Sequence, residues 1–153
     1  MLMAALSAHA TDKKPVKVFI LAGQSNMEGK GGIDPLLNHQ IKAPDTKEFF
    51  AHFHKDGKYI EREDVWINFL NRRGRLTVGF GSPGRIGPEL EFGHVVGDHY
   101  EEPVLIIKTA WGGKSIGRDF RPPSSGLPPK EELDEAVNNM VNREYNNLVR
   151  NAM

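Results

Sequence analysis

The chain contains no cysteine. Disulfides, thiolate zinc sites, iron–sulfur clusters and a cysteine nucleophile are therefore excluded. It also lacks a charge imbalance, with 20 Lys plus Arg against 20 Asp plus Glu. That balance gives no electrostatic basis for binding nucleic acid or an anionic membrane surface. No stretch approaches 18 apolar residues, so no membrane-spanning helix is expected. What is present suits a folded domain. Leu, Ile, Val and Phe supply 39 of the 153 residues, too many for wholesale disorder, and the length fits one domain with a sizeable core.

Met1 to Ala10 is apolar and small, ending Ala8-His9-Ala10, the kind of pattern signal peptidase cleaves, with Lys13 and Lys14 following. The expectation is a signal-like or disordered segment over 1–15, a domain over 16–153, and a secreted or periplasmic protein.

Val16 to Ala22 (VKVFILA) is a continuous apolar run between Pro15 and Gly23, which reads as a strand buried on both faces. Val65–Leu70 and Arg75–Phe80 flank Asn71-Arg72-Arg73-Gly74 and read as a hairpin. Gly87-Pro88-Glu89 reads as a helix start, with Phe92, Val95, Val96 and Tyr100 at helical spacing. Pro103 to Ala110 (PVLIIKTA) is a second buried strand. From Lys130, residues Leu133, Val137, Met140, Val141, Leu148 and Val149 mark one face of a last helix, over about 130–150. The order of elements predicts an α/β layer fold with a parallel core and an inserted hairpin.

In open α/β sheets, ligands bind beyond the carboxyl ends of the strands. Two such ends are legible: Gly23-Gln24-Ser25-Asn26-Met27, and Trp111-Gly112-Gly113-Lys114-Ser115. A serine leaving a buried strand can attack a carbonyl, and backbone amides such as those of Ser25 and Gly113 can hold the oxyanion. By spacing alone, the default reading of Ser25 is a turn or capping serine. A phosphate-binding loop fails, because no G-x-x-x-x-G-K-[ST] or G-x-G-x-x-G is completed around Gly29-Lys30-Gly31-Gly32. His52 and His54 form H-x-H without a third ligand, so no metal and no cofactor are expected.

Three blocks in order, VFILAGQSNMEGKG, GPELEFGHVVGD and LIIKTAWGGKS, resemble the carbohydrate-esterase branch of the SGNH (GDSL-like) hydrolases, which includes sialate O-acetylesterases and acetyl xylan esterases. The likeness runs from about Lys17 to Gly126. It implies a flavodoxin-like three-layer fold and hydrolysis of acetyl esters on sugars. It maps the nucleophile onto Ser25 and an oxyanion-hole amide onto the Gly112-Gly113 turn, with supporting roles for Gln24, Asn26 and Glu89. Two family blocks have no counterpart. Neither Gln24 nor Gln40 precedes Gly, so there is no W-x-Q-G, and no Asp is followed by His three residues later, so there is no D-x-x-H. Asp98-His99 falls within the helix that starts at Pro88, the wrong element for a triad base. The chain thus reads as the N-terminal part of such a domain. An inactive carbohydrate-binding or assembly module is the alternative, and an unpaired sheet edge would favour a homo-oligomer.

Overall fold

A computed structural model describes residues 15–135 and 137–141. The signal-like segment up to residue 14 and the stretch 142–153 lie outside the described residues. The chain forms two compact units, divided between Gly113 and Lys114.

The first unit is built on a four-stranded sheet. β1 (Lys17–Gly23) leads into a one-turn helix α1 (Ser25–Glu28). The short β2 (Gly31–Gly32) is followed by a π-helical turn (Ile33–Leu37), α2 (Asn38–Lys42) and α3 (Lys47–Phe50). A small hairpin, β3 (His54–Lys55) and β4 (Lys58–Tyr59), precedes β5 (Val65–Phe69) and β6 (Arg72–Arg75). β7 (Arg85–Ile86), α4 (Glu89–His99) and β8 (Val104–Ala110) complete the unit. The sheet order is β1-β8-β5-β6. β8 runs parallel to both β1 and β5, and β6 is antiparallel to β5.

The architecture is α/β with a largely parallel central sheet, as the order of elements predicts. The hairpin differs in detail. Phe69 pairs with Arg72, so the loop is Leu70-Asn71 and not 71–74. Leu70 takes a positive φ of 55° there, the backbone sense that a tight two-residue hairpin loop demands. The hairpin is also no insertion, because its first strand is a central strand of the main sheet. Residues 76–80 are irregular, yet Leu76 and Phe80 still enter the core.

One sheet face carries the core. Val65, Ile67, Phe69, Leu76, Val104, Ile106 and Ala110 are buried there, with Phe19 and Leu21 packed against them. α4 covers this face with Gly93, Val96 and Gly97, the valine in the core and the glycines against Leu76, Ile106 and Val65, a stripe at helical spacing. Phe92 meets the Phe19 ring edge-on at 5.3 Å, whereas Val95 points outward. Each fully buried aliphatic or aromatic side chain contributes roughly 1.5–3 kcal/mol. The opposite face of β1 is not buried: Val18 is 53% and Ile20 68% exposed. The run VKVFILA is therefore apolar on two faces while this unit covers only one. A second apolar cluster joins Leu37 and Phe53 to Leu90, with Ile41, Phe50 and Ile86 packed against it. Leu37 and Phe53 come from short helices whose periodicity is too brief to register.

In the second unit, Asp119 closes the first turn. Its carboxylate accepts from the Ser115 amide at 2.8 Å and from Lys114 at 3.0 Å. Those bonds hold its pKa down at about 2. Residues 130–135 and 137–141 are helical, within the last helix expected from the apolar spacing.

Candidate active site

The parallel register decides where the two strand ends emerge. Gly23 lies opposite Ala110, and the Trp111 amide donates to the Gly23 carbonyl at 3.3 Å. Gln24-Ser25 and Gly112-Gly113 thus leave neighbouring strands side by side, at the carboxyl edge where ligands bind in such sheets.

Ser25 opens α1 and is half-buried, flanked by exposed Gln24 and Asn26. The turn closes through Glu28 N–H to the Gln24 carbonyl at 2.7 Å and Gly29 N–H to the Ser25 carbonyl at 3.0 Å. Gly23 lets the turn fold back on its strand, since a Cβ there would stand 2.8 Å from the Met27 Cβ. The Ser25 hydroxyl donates to the Gln24 side-chain oxygen at 3.0 Å. Among the described residues, its partner is that amide oxygen and not a histidine nitrogen. His52 instead pairs with Glu91 at 2.7 Å, His94 is buried in α4 with its Nε2 unpartnered, and the rings of His54 and His99 pack on Tyr59 and Tyr100.

Beneath Ser25 lies a polar network that sequence reasoning did not find. Glu28, one helical turn on, accepts from the Ser82 hydroxyl at 2.7 Å and pairs with Lys30 at 3.1 Å. Lys30 also donates to the Ser82 oxygen at 2.6 Å. The Ser82 hydroxyl, then Lys30 and the Gly112 amide, hold the Glu28 carboxyl below its ordinary value against the opposing effect of burial. The Gly112 backbone lies against Glu28, where a Cβ would stand 3.3 Å from the Glu28 Oε2.

Deeper still, Lys108 and Glu89 form an ion pair at 2.5 Å, with both side chains fully buried. The other two Lys108 donors reach the main-chain carbonyls of Glu28 and Phe80, each at 2.9 Å. Glu89 also accepts from the Gly87 amide at 2.8 Å. Burial pulls the Lys108 pKa down, and Glu89 partly restores it. Glu89 thus reaches the serine turn through Lys108. The sequence did hold a signal for Lys108: a lone charge in VLIIKTA, in phase with Val104, Ile106 and Ala110 on the buried face. An apolar cavity of about 380 Å³, lined by Leu37, Phe50, Phe53, Ile86 and Leu90 among others, is built by the second cluster and includes neither strand end.

The ordered blocks, now seen as two adjacent strand ends with a brace behind them, agree with the comparison with known families. A model described as carbohydrate esterase, sialic acid-specific acetylesterase, matches residues 15–152. The chain belongs to this carbohydrate esterase family. No curated protein and no solved structure matches it significantly. Membership carries the SGNH fold, and the family is one of carbohydrate acetylesterases.

Proposed function

We propose that the protein removes acetyl groups from sugars by a serine mechanism centred on Ser25. The hydroxyl oxygen attacks the acetyl carbonyl carbon as its proton passes to a base. The amides of Ser25 and Gly113 hold the tetrahedral oxyanion. Collapse breaks the ester bond, releases the sugar hydroxyl and leaves acetyl-Ser25. Water then hydrolyses that ester, releasing acetate and restoring the serine. The observation that carries this reading is the register of β1 on β8, which sets the Ser25 turn beside the Gly112-Gly113 turn within a carbohydrate esterase family member.

The test compares wild type with Ser25→Ala on p-nitrophenyl acetate and on an O-acetylated sialic acid. Loss of a nucleophile lowers turnover by orders of magnitude. Equal rates would remove Ser25 from the chemistry. The second reading is a sugar-binding module without turnover, favoured by the Ser25 hydroxyl meeting an amide oxygen and no histidine among the described residues. Trp111, exposed at the second strand end, then reports on it: saturable quenching of its fluorescence by sugar, with no hydrolysis, selects that reading.

β1 is an edge strand among the described residues. Its open face carries Val18 and Ile20, and its one charge, Lys17, is paired with Glu102 at 3.2 Å. An apolar edge without a charge pointing outward invites pairing with a second copy. Light scattering is expected to give a mass above 17.1 kDa, and Ile20→Lys to shift it to the monomer. A wild-type monomer at high concentration excludes the pairing.

A further inference from the structure

We propose that Lys108 is a positioning residue: its buried ammonium clamps the one-turn helix that presents Ser25. The proposal rests on the reading of Ser25 as nucleophile.

Three observations carry it. The first is geometric. α1 is a single turn from Ser25 to Glu28, too short to hold its shape alone, because an isolated turn fixes several dihedrals for one hydrogen bond. Lys108 donates to the carbonyl of Glu28, the last residue of that turn. A cation at that end also opposes the partial negative charge of the turn's carbonyls. The second is that the clamp is anchored on both other sides. Its remaining donors reach the Phe80 carbonyl and the Glu89 carboxylate at the start of α4. Three segments distant in sequence, at residues 28, 80 and 89, are thus tied to one atom at the carboxyl end of β8. The third is energetic. An apolar residue would sit in this strand at no desolvation cost, and a buried ion pair is weak evidence for stability. A fully satisfied buried charge does fix geometry, since each of its three donors has an acceptor. Displacements of the order of 1 Å at a reacting group cost roughly 100-fold in rate, so a device holding the serine turn acts on chemistry and not only on folding.

The experiment uses Lys108→Met/Glu89→Gln, which removes both charges together and leaves neither bare. Amide hydrogen exchange is followed at Glu28 and Gly29, whose N–H groups close the turn, and at β5 and β8 as internal references. In parallel, a fluorophosphonate probe measures the rate of covalent labelling at Ser25. We expect exchange at Glu28 and Gly29 to quicken about tenfold or more while β5 and β8 hold their protection. Labelling is expected to slow about 100-fold. Lys108→Gln/Glu89→Gln, which keeps an N–H donor for a carbonyl and leaves no bare charge, should fall between wild type and Lys108→Met/Glu89→Gln, and serves if the latter does not fold. Uniform loss of protection across the turn and both strands would reduce Lys108 to a stabilising residue and overturn the proposal. Unchanged exchange at Glu28 and Gly29 would do the same. If wild type resists the probe while the exchange effect stays confined to the turn, the clamp stands and the nucleophile reading is what fails.

Discussion

Glu89→Ala is expected to lower the unfolding free energy by about 3–5 kcal/mol, the range for removing one partner of a buried ion pair. For a domain whose total stability is of the order of 10 kcal/mol, this is a large fraction. The loss has two sources. Lys108 would keep its charge in a site with no exposed side-chain surface, left among the described residues with two neutral carbonyls and the face of the Phe69 ring. The part-buried Gly87 amide would also lose its acceptor, at a smaller cost because water can reach it. Urea unfolding measures the effect directly. A loss below about 1 kcal/mol would mean that the pair is solvated, contrary to its burial. Removing both charges in one variant should cost less than the sum of the two single changes, because the penalty of a bare charge then disappears.

Gly29→Ala is expected to cost about 2–4 kcal/mol and to displace the serine turn with it. Gly29 follows α1 directly and has a φ of 88°, a conformation that a Cβ makes unfavourable. A Cβ there would also collide with the Gly87 Cα and would stand 2.6 Å from the Gly87 nitrogen and the Ile86 carbonyl oxygen. All of these are main-chain atoms, so no side chain can rotate away to relieve the contact. Gly84 is the built-in control. Its φ is 71°, but nothing lies within 4 Å of its Cβ position, so Gly84→Ala carries the conformational term alone, about 1 kcal/mol. Urea midpoints for the two variants should differ clearly. Equal midpoints would show that the Gly29–Gly87 approach contributes nothing.

The strands, the helix and the place of Ser25 at a strand end were open to reading because each is written locally. VKVFILA and VLIIKTA are short apolar runs with clear bounds, and both form strands of the main sheet. Pro88 and the acids at 89 and 91 mark the start of α4 within a residue of where it begins. Ser25 stands out as the polar residue that follows a buried strand beyond a glycine. The errors were equally physical. Apolar letters on alternate positions cannot say which face will be covered, so Val18 and Ile20 read as core and prove exposed. The hairpin pattern was visible, but nothing in it announces that β5 joins β8 in parallel, since the two strands are 35 or more residues apart in sequence.

By itself the amino-acid sequence determined the family, the two strand ends and the residue to test as nucleophile, because those depend on side-chain order within a dozen residues. Only the tertiary structure decided which groups stand behind Ser25. Lys108 meets Glu28 across 80 residues and Glu89 across 19, and Ser82 meets Glu28 across 54. Such bonds form only once the parallel register and the packing of α4 have brought the segments together. The physical reason is that a lysine's letter is the same in water and in the core, and only folding decides how many of its protons find a partner there.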